Sequence, residues 1–294
     1  MKILEGYEKY QMLYAEIVEG YSYIEELDSY ARHFNELRFV RLYRLRDKYL
    51  REQVPEAVLS EKDRLIQLNK EERWTEKQED DLISLKWLIE DNKKSAETIV
   101  SSEQKKLILK IVEEKKEEHD ELELEKMTLM HPTREFYSRK YFSELLPQFS
   151  LFKDDGLTDP KYTEEEYEEF SEEEVAEISI FFSEGLRKFD ERTMRVMATL
   201  PFVLNQLSLC KKNPLVFLNK PIVQFSTYQQ DIYSRTMRNL TILENAENKP
   251  IEIDETTEEQ QLLDWYDINY AVWQGKNDST KKSEITKSTK YVHR

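Results

Sequence analysis

The chain has 294 residues, a formal net charge of −16, a charged fraction of 35% and an apolar fraction of 39%. Such a composition fits long solvated helices with narrow apolar faces better than a thick globular core. The acidic balance disfavours nucleic-acid binding, because contacts to phosphates depend on lysine and arginine displacing counterions. Aromatic residues make up 12% of the chain, which is typical of a folded protein.

Glycine and cysteine are both scarce. Five glycines in the whole sequence disfavour phosphate-binding loops, hairpin-rich sheets and barrels, which all depend on glycine backbones. The single cysteine, Cys210, excludes an intramolecular disulfide and a cysteine zinc cage. Nucleotide-binding, nucleophile-elbow and zinc-helix motifs are missing from the sequence. We therefore expect no enzyme activity, no catalytic residue, no cofactor and no metal site.

The sequence also bears on location. It contains no run of about 18 apolar residues, so no membrane-spanning helix is expected. At the N-terminus, Lys2 and Glu5 bring charge too early for a secretory signal peptide. These features predict a cytoplasmic protein.

Residues 5–52 predict one or two helices. An apolar, tyrosine-rich series runs through Tyr10, Tyr14, Ile17, Tyr21 and Ile24. Its spacing of four, three, four and three residues is typical of a heptad seam. A glycine, Gly20, interrupts this seam and lowers the helical propensity there by about 1 kcal/mol.

The second part of this region is basic. One predicted helical face carries Arg38, Arg41, Arg44, Lys48 and Arg51. Two interpretations stay open: the arginines dock an acidic partner, or they neutralise the chain's own acidic surface.

The next region, residues 56–131, contains neither glycine nor proline, which favours long helices. Thr75 and Gln78 match a capping box, so one helix should end near Glu72 and the next should begin at Glu76. We predict a protruding helical hairpin or short coiled coil over residues 60–130.

This hairpin is strongly polar. Between Glu113 and Glu121 there is no apolar residue, which a helix tolerates through i,i+4 charge pairs. His119 lies four residues before Glu123 on one predicted helical face. In so polar a run we expect this pair to be exposed and to bind no metal.

Turn-forming residues mark a predicted domain boundary. Pro147, Gly156 and Pro160 occur among aspartates within residues 147–162, which we predict to be a linker between residues 1–146 and a compact C-terminal helical domain. The sequence thus predicts an all-α fold.

The predicted C-terminal domain covers residues 163–274. It opens with an acidic block, in which Thr163–Glu166 and Ser171–Glu174 match capping boxes that place glutamates at helix N-termini. Its apolar core is predicted over residues 178–245, followed by a helix over 257–274. Residues 275–294 show no periodicity and are predicted to be a disordered tail.

A distinctive motif follows the apolar core. Residues 215–230 read Leu-Val-Phe-Leu-Asn-Lys-Pro-Ile-Val-Gln-Phe-Ser-Thr-Tyr-Gln-Gln. An aromatic residue and a Lys-Pro pair precede a Thr-Tyr-Gln helix start, and this pattern resembles a segment of the tail assembly chaperones of large tailed bacteriophages. The resemblance extends over roughly residues 130–270.

The resemblance implies a role in virion assembly without catalysis, and an extended hydrophobic partner such as a tape-measure protein. On this interpretation the partner-binding residues are Phe217, Lys220, Pro221, Phe225 and Tyr228. The residues themselves leave a second interpretation open, in which the segment is a loop that closes the helical core.

Three functions are therefore considered. The first is a protein-binding assembly factor or chaperone that holds a hydrophobic partner in the cytoplasm, which is the host cytoplasm if the protein is viral. The second is a structural subunit of a virion or another large particle, which forms oligomers through the tyrosine seam. The third is a nucleic-acid accessory factor that uses Arg38, Arg41 and Arg44.

Overall fold

The computed structural model describes residues 2–98, 102–248 and 250–290. Helices dominate these residues, which confirms the predicted helical fold class. The described residues also form one small three-stranded antiparallel sheet, which the sequence patterns did not predict.

The helices and strands follow one another in this order: α1 (Tyr7–Glu19), β1 (Tyr21–Ile24), β2 (Ser29–Arg32), α2 (Val40–Glu52), α3 (Glu61–Lys70), α4 (Glu76–Thr98), α5 (Ser102–Met130), α6 (Arg134–Ser150), β3 (Leu151–Phe152), α7 (Glu164–Glu168), α8 (Glu172–Leu186), α9 (Glu191–Met197), α10 (Pro201–Leu209), α11 (Pro214–Leu218), α12 (Thr227–Asn245) and α13 (Glu259–Lys290).

The chain divides into two compact units. The first contains the described residues of Met1–Leu42 and Glu144–Arg294, and the second contains Tyr43–Ser143. The predicted boundary at residues 147–162 differs from this division, because the N-terminal segment packs into the same core as the C-terminal helices. Ile3, for example, is fully buried in that core and donates its N–H to the Thr257 carbonyl at 3.0 Å.

The predicted tyrosine seam is split between a helix and a strand. Gly20 ends α1 in the left-handed conformation, with φ of 88°, and its N–H donates to the Glu16 carbonyl. Tyr10 and Ile17 are therefore buried on α1, whereas Tyr21 and Ile24 lie on β1. The predicted heptad seam therefore ends at Gly20, because a left-handed glycine is a strong helix terminator, and its last two residues lie on a strand.

The sheet joins distant parts of the first unit. Strand β1 pairs with β2, with Tyr21 opposite Arg32, and β2 pairs with β3, with Tyr30 opposite Phe152. A small core cluster beneath the sheet includes Ala31, Leu151 and Phe182. The predicted linker 147–162 starts with the end of α6, where Pro147 is buried, and with the buried strand β3, and it continues as mostly exposed turns over residues 153–160.

The main core of the first unit lies between α1 and the C-terminal helices. Apolar faces of α9, α10, α12 and α13 surround Met197, Leu200 and Leu207, which are fully buried. The capping boxes at Thr163, Ser171 and Ser226 are all present, which confirms three predicted helix starts.

The last helix is longer than predicted. Helix α13 continues past Gly275 to Lys290, so residues 275–290 do not belong to a disordered tail. No proline follows, and one interior glycine costs only about 1 kcal/mol of helix propensity. Residues 291–294 lie outside the described residues.

In the second unit, α4 and α5 pack side by side. They are antiparallel, because Glu79 near the start of α4 accepts a hydrogen bond from Lys126 near the end of α5 at 2.7 Å. The indole N–H of buried Trp74 donates to the same carboxylate at 2.8 Å. The Thr75–Gln78 capping box before α4 is confirmed, while residues 99–101 lie outside the described residues.

Candidate functional site

The two aromatic residues predicted to flank a binding groove are core residues. Phe217 is 2% exposed and Phe225 is fully buried, and both rings pack against Tyr233. Their burial favours the second interpretation of this segment, in which it closes the helical core. Apolar burial accounts for this, because α10, α11 and α12 enclose this segment more completely than the local sequence indicates.

The remaining predicted residues of the segment lie in different environments. Asn219 ends α11 in the left-handed conformation with φ of 51°, and Pro221 behind it is exposed. Lys220 is partly buried. Tyr228 packs against Phe189, with 4.7 Å between ring centroids, and burial raises the pKa of its hydroxyl.

The same stretch also carries five exposed apolar side chains, which we call the apolar ridge. Its side chains are between 47% and 84% exposed: Leu209, Leu215, Val216, Ile222 and Val223. Single exposed apolar residues are ordinary on protein surfaces. Five within one fifteen-residue stretch, on a backbone anchored by buried rings, make this stretch the candidate contact surface.

Two of the three predicted arginines lie three residues apart on α2, and the third precedes that helix. Arg38 precedes α2, Arg41 lies on its first turn, and Arg44 belongs to the second unit. Arg41 pairs with Glu164 at 2.5 Å, which agrees with the interpretation that it neutralises the chain's own acidic surface. Arg38 does not belong to the predicted helical face, because α2 begins only at Val40.

Arg38 instead borders a small cleft in the first unit, which we call the basic cleft. The cleft has a volume of about 90 Å³, and its lining includes Gly20, Arg32, His33, Arg38, Lys220 and Gln229. These residues come from the end of α1, strand β2, the turn before α2, the segment after α11 and the first turn of α12.

Hydrogen bonds hold these elements together around the basic cleft. The Gln229 amide donates to the carbonyls of Ile17 and Val18 at 2.7 and 3.0 Å, which fixes α12 against the end of α1. The Asn35 amide donates to the Phe225 carbonyl at 2.6 Å, which places the turn carrying Arg38 beside the start of α12.

The positive charges of the basic cleft lack acidic partners. The described residues of the first unit form several ion pairs, and none of them includes Arg32, Arg38 or Lys220. Burial lowers the pKa of Arg32 and that of Lys220, and the positive charge of Arg38 lowers both further. The charge of Arg38 therefore repels those of both Arg32 and Lys220.

The contacts of Arg32 are to neutral groups. Its guanidinium donates to the Leu157 carbonyl at 2.9 Å and lies 4.2 Å from the centroid of the Phe152 ring. Its Nε is buried and has no hydrogen-bond partner among the described residues.

His33 forms the buried wall of the basic cleft. It is 1% exposed, its Nε2 lies 2.8 Å from the Ser22 hydroxyl, and its Nδ1 has no partner among the described residues. Burial lowers the pKa of His33 to about 3, and the charges of Lys188 and Lys220 act in the same direction. The imidazole is therefore neutral at physiological pH.

One group in the second unit has the geometry of metal ligands. His119, Asp120 and Glu123 place their ligand atoms within 4.8 Å of one another. The two carboxylates are exposed on a polar helix, and exposed acidic groups commonly occur without an ion. This cluster by itself defines no metal site.

No protein-family model, curated protein or solved structure matches the chain. Within the described residues, no helix combines the length and the apolarity that crossing a membrane requires.

The sequence did not reveal Arg32, His33 or Gly20 as members of a site. Lys220 and Arg38 were predicted to bind partners, but on separate surfaces. Only the turn at Gly20 and the pairing of β2 bring these residues together. The one sequence signal was Gly20 itself, a glycine in a chain that has few.

Proposed function

We propose that the chain is a non-enzymatic protein-binding factor that holds an apolar segment of another protein at the apolar ridge. The observation that carries this proposal is the contrast between neighbours: Val216 is 60% exposed, whereas Phe217 beside it is 2% exposed. The buried rings fix the backbone, so the ridge is presented without a large ordering cost on binding.

Charge complementarity supports a partner segment that also carries carboxylates. Residues 191–245 contain seven basic and three acidic residues, although the whole chain has a net charge of −16. Lys211 is exposed between Leu209 and Leu215. An apolar segment with acidic side chains would thus meet favourable charge at the ridge and repulsion over most of the remaining surface.

The particular role that we propose is that of an assembly chaperone in a tailed bacteriophage, acting in the host cytoplasm. The support for it is the resemblance of residues 215–230, which form the larger part of the ridge and its anchors. The acidic surface would keep a sticky partner dispersed, because like charges oppose aggregation.

Binding can be tested with a fluorescent peptide of alternating leucine and glutamate, and with a leucine–lysine peptide as its charge control. Fluorescence anisotropy should show binding of the acidic peptide only. The double variant Val216→Ser and Val223→Ser should weaken it at least about tenfold, while the free energy of unfolding changes by no more than about 0.5 kcal/mol per exposed site.

A matched control separates binding from folding. Phe225→Ala should destabilise the protein by about 3–5 kcal/mol, because it leaves a cavity in the core. Unchanged peptide affinity in the double serine variant, or equal binding of the two peptides, would contradict the proposed function.

A further inference from the structure

We propose that the basic cleft is a binding site for a phosphate group, either inorganic phosphate or the phosphate of a small organic ester. This inference is independent of the apolar ridge and of the proposed protein-binding function. It rests on Arg32, Arg38 and Lys220, which line one cleft without any ion-pair partner among the described residues.

Arg32 and Lys220 are partly buried without an ion-pair partner among the described residues, and Arg38 beside them is exposed. This arrangement is unfavourable, since burial disfavours charge and like charges repel. In an acidic chain with 60 aspartate and glutamate residues, counter-charges would be easy to supply. Other basic residues of the first unit do have them, including Lys188 with Glu16 at 2.6 Å and Lys212 with Glu244 at 2.8 Å. The basic cleft differs because its charges face a cavity that a ligand can enter.

The charge of the cleft selects a doubly charged anion. Three cations line it, and Glu19 is the acidic residue in its lining. His33 adds no charge, because its imidazole is neutral above a pKa of about 3. The resulting balance of two positive charges matches a phosphate dianion better than a monocarboxylate.

The available donors also suit a tetrahedral oxyanion. The cationic side chains of Arg32, Arg38 and Lys220 line the cleft from three separate chain segments, so they can bind different oxygens of one anion. The N-terminus of α12, capped by Ser226 at the cleft lining, adds the positive end of a helix dipole.

The size of the cleft limits what it can enclose. About 90 Å³ holds a few water molecules or one small oxyanion, and it is below the usual size of a site that encloses an organic ligand. A second cleft of about 470 Å³ shares Arg32 and Arg38 and includes Phe149 and Tyr162 in its lining. It would receive the organic part of a phosphate ester.

Gly20 allows the close approach that the cleft requires. A Cβ at this position would lie 3.8 Å from Lys220 Nζ and 3.4 Å from Gln229 Nε2, and φ is +88°. Any L side chain here would be strained and would narrow the space beside the Lys220 ammonium.

Calorimetric titration of the full-length chain at low ionic strength and pH 7.5 tests the proposal. Inorganic phosphate and sulfate should bind, and acetate should bind at least about tenfold more weakly because it carries one charge. Adenosine monophosphate serves as the ester: tighter binding than that of phosphate identifies an organic phosphate as the ligand class, and equal binding identifies inorganic phosphate.

Matched variants locate the binding. Lys220→Gln should weaken phosphate binding about tenfold or more, because it removes a charge-assisted contact. Lys9→Gln changes the net charge equally at an exposed lysine outside the cleft and should leave the phosphate affinity unchanged. Glu19→Gln should strengthen binding.

Two results would overturn the inference. One is the absence of phosphate binding up to about 10 mM, a concentration that detects even weak sites. The other is equal phosphate affinity in Lys220→Gln and the wild type, which would place the anion elsewhere. Neither result bears on peptide binding at the apolar ridge, so the two proposals can fail separately.

Discussion

At the scale of single residues, His33 combines burial, neutrality and an unpartnered ring nitrogen. The unfolded chain exposes this imidazole to water, where its pKa returns to about 6.5. In the folded protein the pKa is about 3, because burial and two nearby cations disfavour the charged ring. Folding therefore requires that His33 release its proton whenever the pH lies between these two values.

The expected consequence is a loss of stability in mild acid. Between pH 3 and 6.5 the unfolded state binds more protons than the folded state, so the free energy of unfolding falls as the pH falls. From pH 7.5 to 5, His33 should account for about 2 kcal/mol of this loss. Urea denaturation at a series of pH values measures it.

The variant His33→Gln provides the control, since glutamine cannot titrate and can keep a hydrogen bond to Ser22. Its stability should depend less steeply on pH over this window, whatever its absolute stability. Equal slopes for the variant and the wild type would show that His33 titrates normally in the folded protein.

At the scale of secondary-structure elements, the contact between α8 and β1 depends on a glycine. A Cβ on Gly185 would lie 2.8–2.9 Å from three side-chain carbons of Ile24, which is 1% exposed. Helix propensity alone would favour alanine at this position by about 1 kcal/mol. The close approach of the helix to the strand therefore opposes the local preference.

We expect Gly185→Ala to lower the free energy of unfolding by about 1–3 kcal/mol, because overpacking displaces Ile24. In an Ile24→Ala background the clash is absent, and the same substitution should be neutral or stabilising by up to about 1 kcal/mol. A double-mutant cycle measured by chemical denaturation gives the coupling free energy between residues 185 and 24.

Ile24→Val removes only the Cδ1 contact and should give an intermediate coupling. An equal effect of Gly185→Ala in all three backgrounds would mean that α8 does not depend on this close approach to β1.

At the scale of the whole molecule, charge is distributed unevenly along the chain. Residues 151–190 contain 14 acidic and four basic residues, whereas residues 191–245 have an excess of bases. The exposed pair of Arg41 with Glu164 shows one arginine partly neutralised by the acidic block. Isolated exposed pairs contribute little stability, so the main effect of this pair is on the surface potential.

We therefore expect no binding of duplex DNA or RNA at about 150 mM salt, where a phosphate backbone interacts mainly with charges within about 8 Å. Replacing Arg38, Arg41 and Arg44 by glutamine should leave this result unchanged. An electrophoretic mobility shift assay at increasing salt concentrations measures nucleic-acid binding by the wild type and by the triple variant.

Robust binding that the triple variant abolishes would instead assign these arginines to a nucleic-acid interface. A steep fall of affinity with salt would accompany it, because each phosphate contact releases counterions. That outcome would favour the accessory-factor alternative over the protein-binding factor.

The sequence by itself determined where four of the thirteen α-helices of the described residues begin. The capping pairs at Thr75, Thr163, Ser171 and Ser226 all appear in the structure, because each involves residues only three positions apart. The helical character of α4 and α5 was equally accessible, since propensity acts locally and no glycine or proline interrupts them.

Only the tertiary structure decided the sheet, the burial of Phe217 and Phe225, and the basic cleft. Strand β3 has two residues and owes its pairing to β2, more than a hundred positions earlier, so no local pattern could reveal it. Arg32 and Lys220 are likewise far apart in the sequence, and they line one cleft only because the fold brings their segments together. Burial and charge are set by which distant segments pack together, whereas helix starts are set by neighbours along the chain.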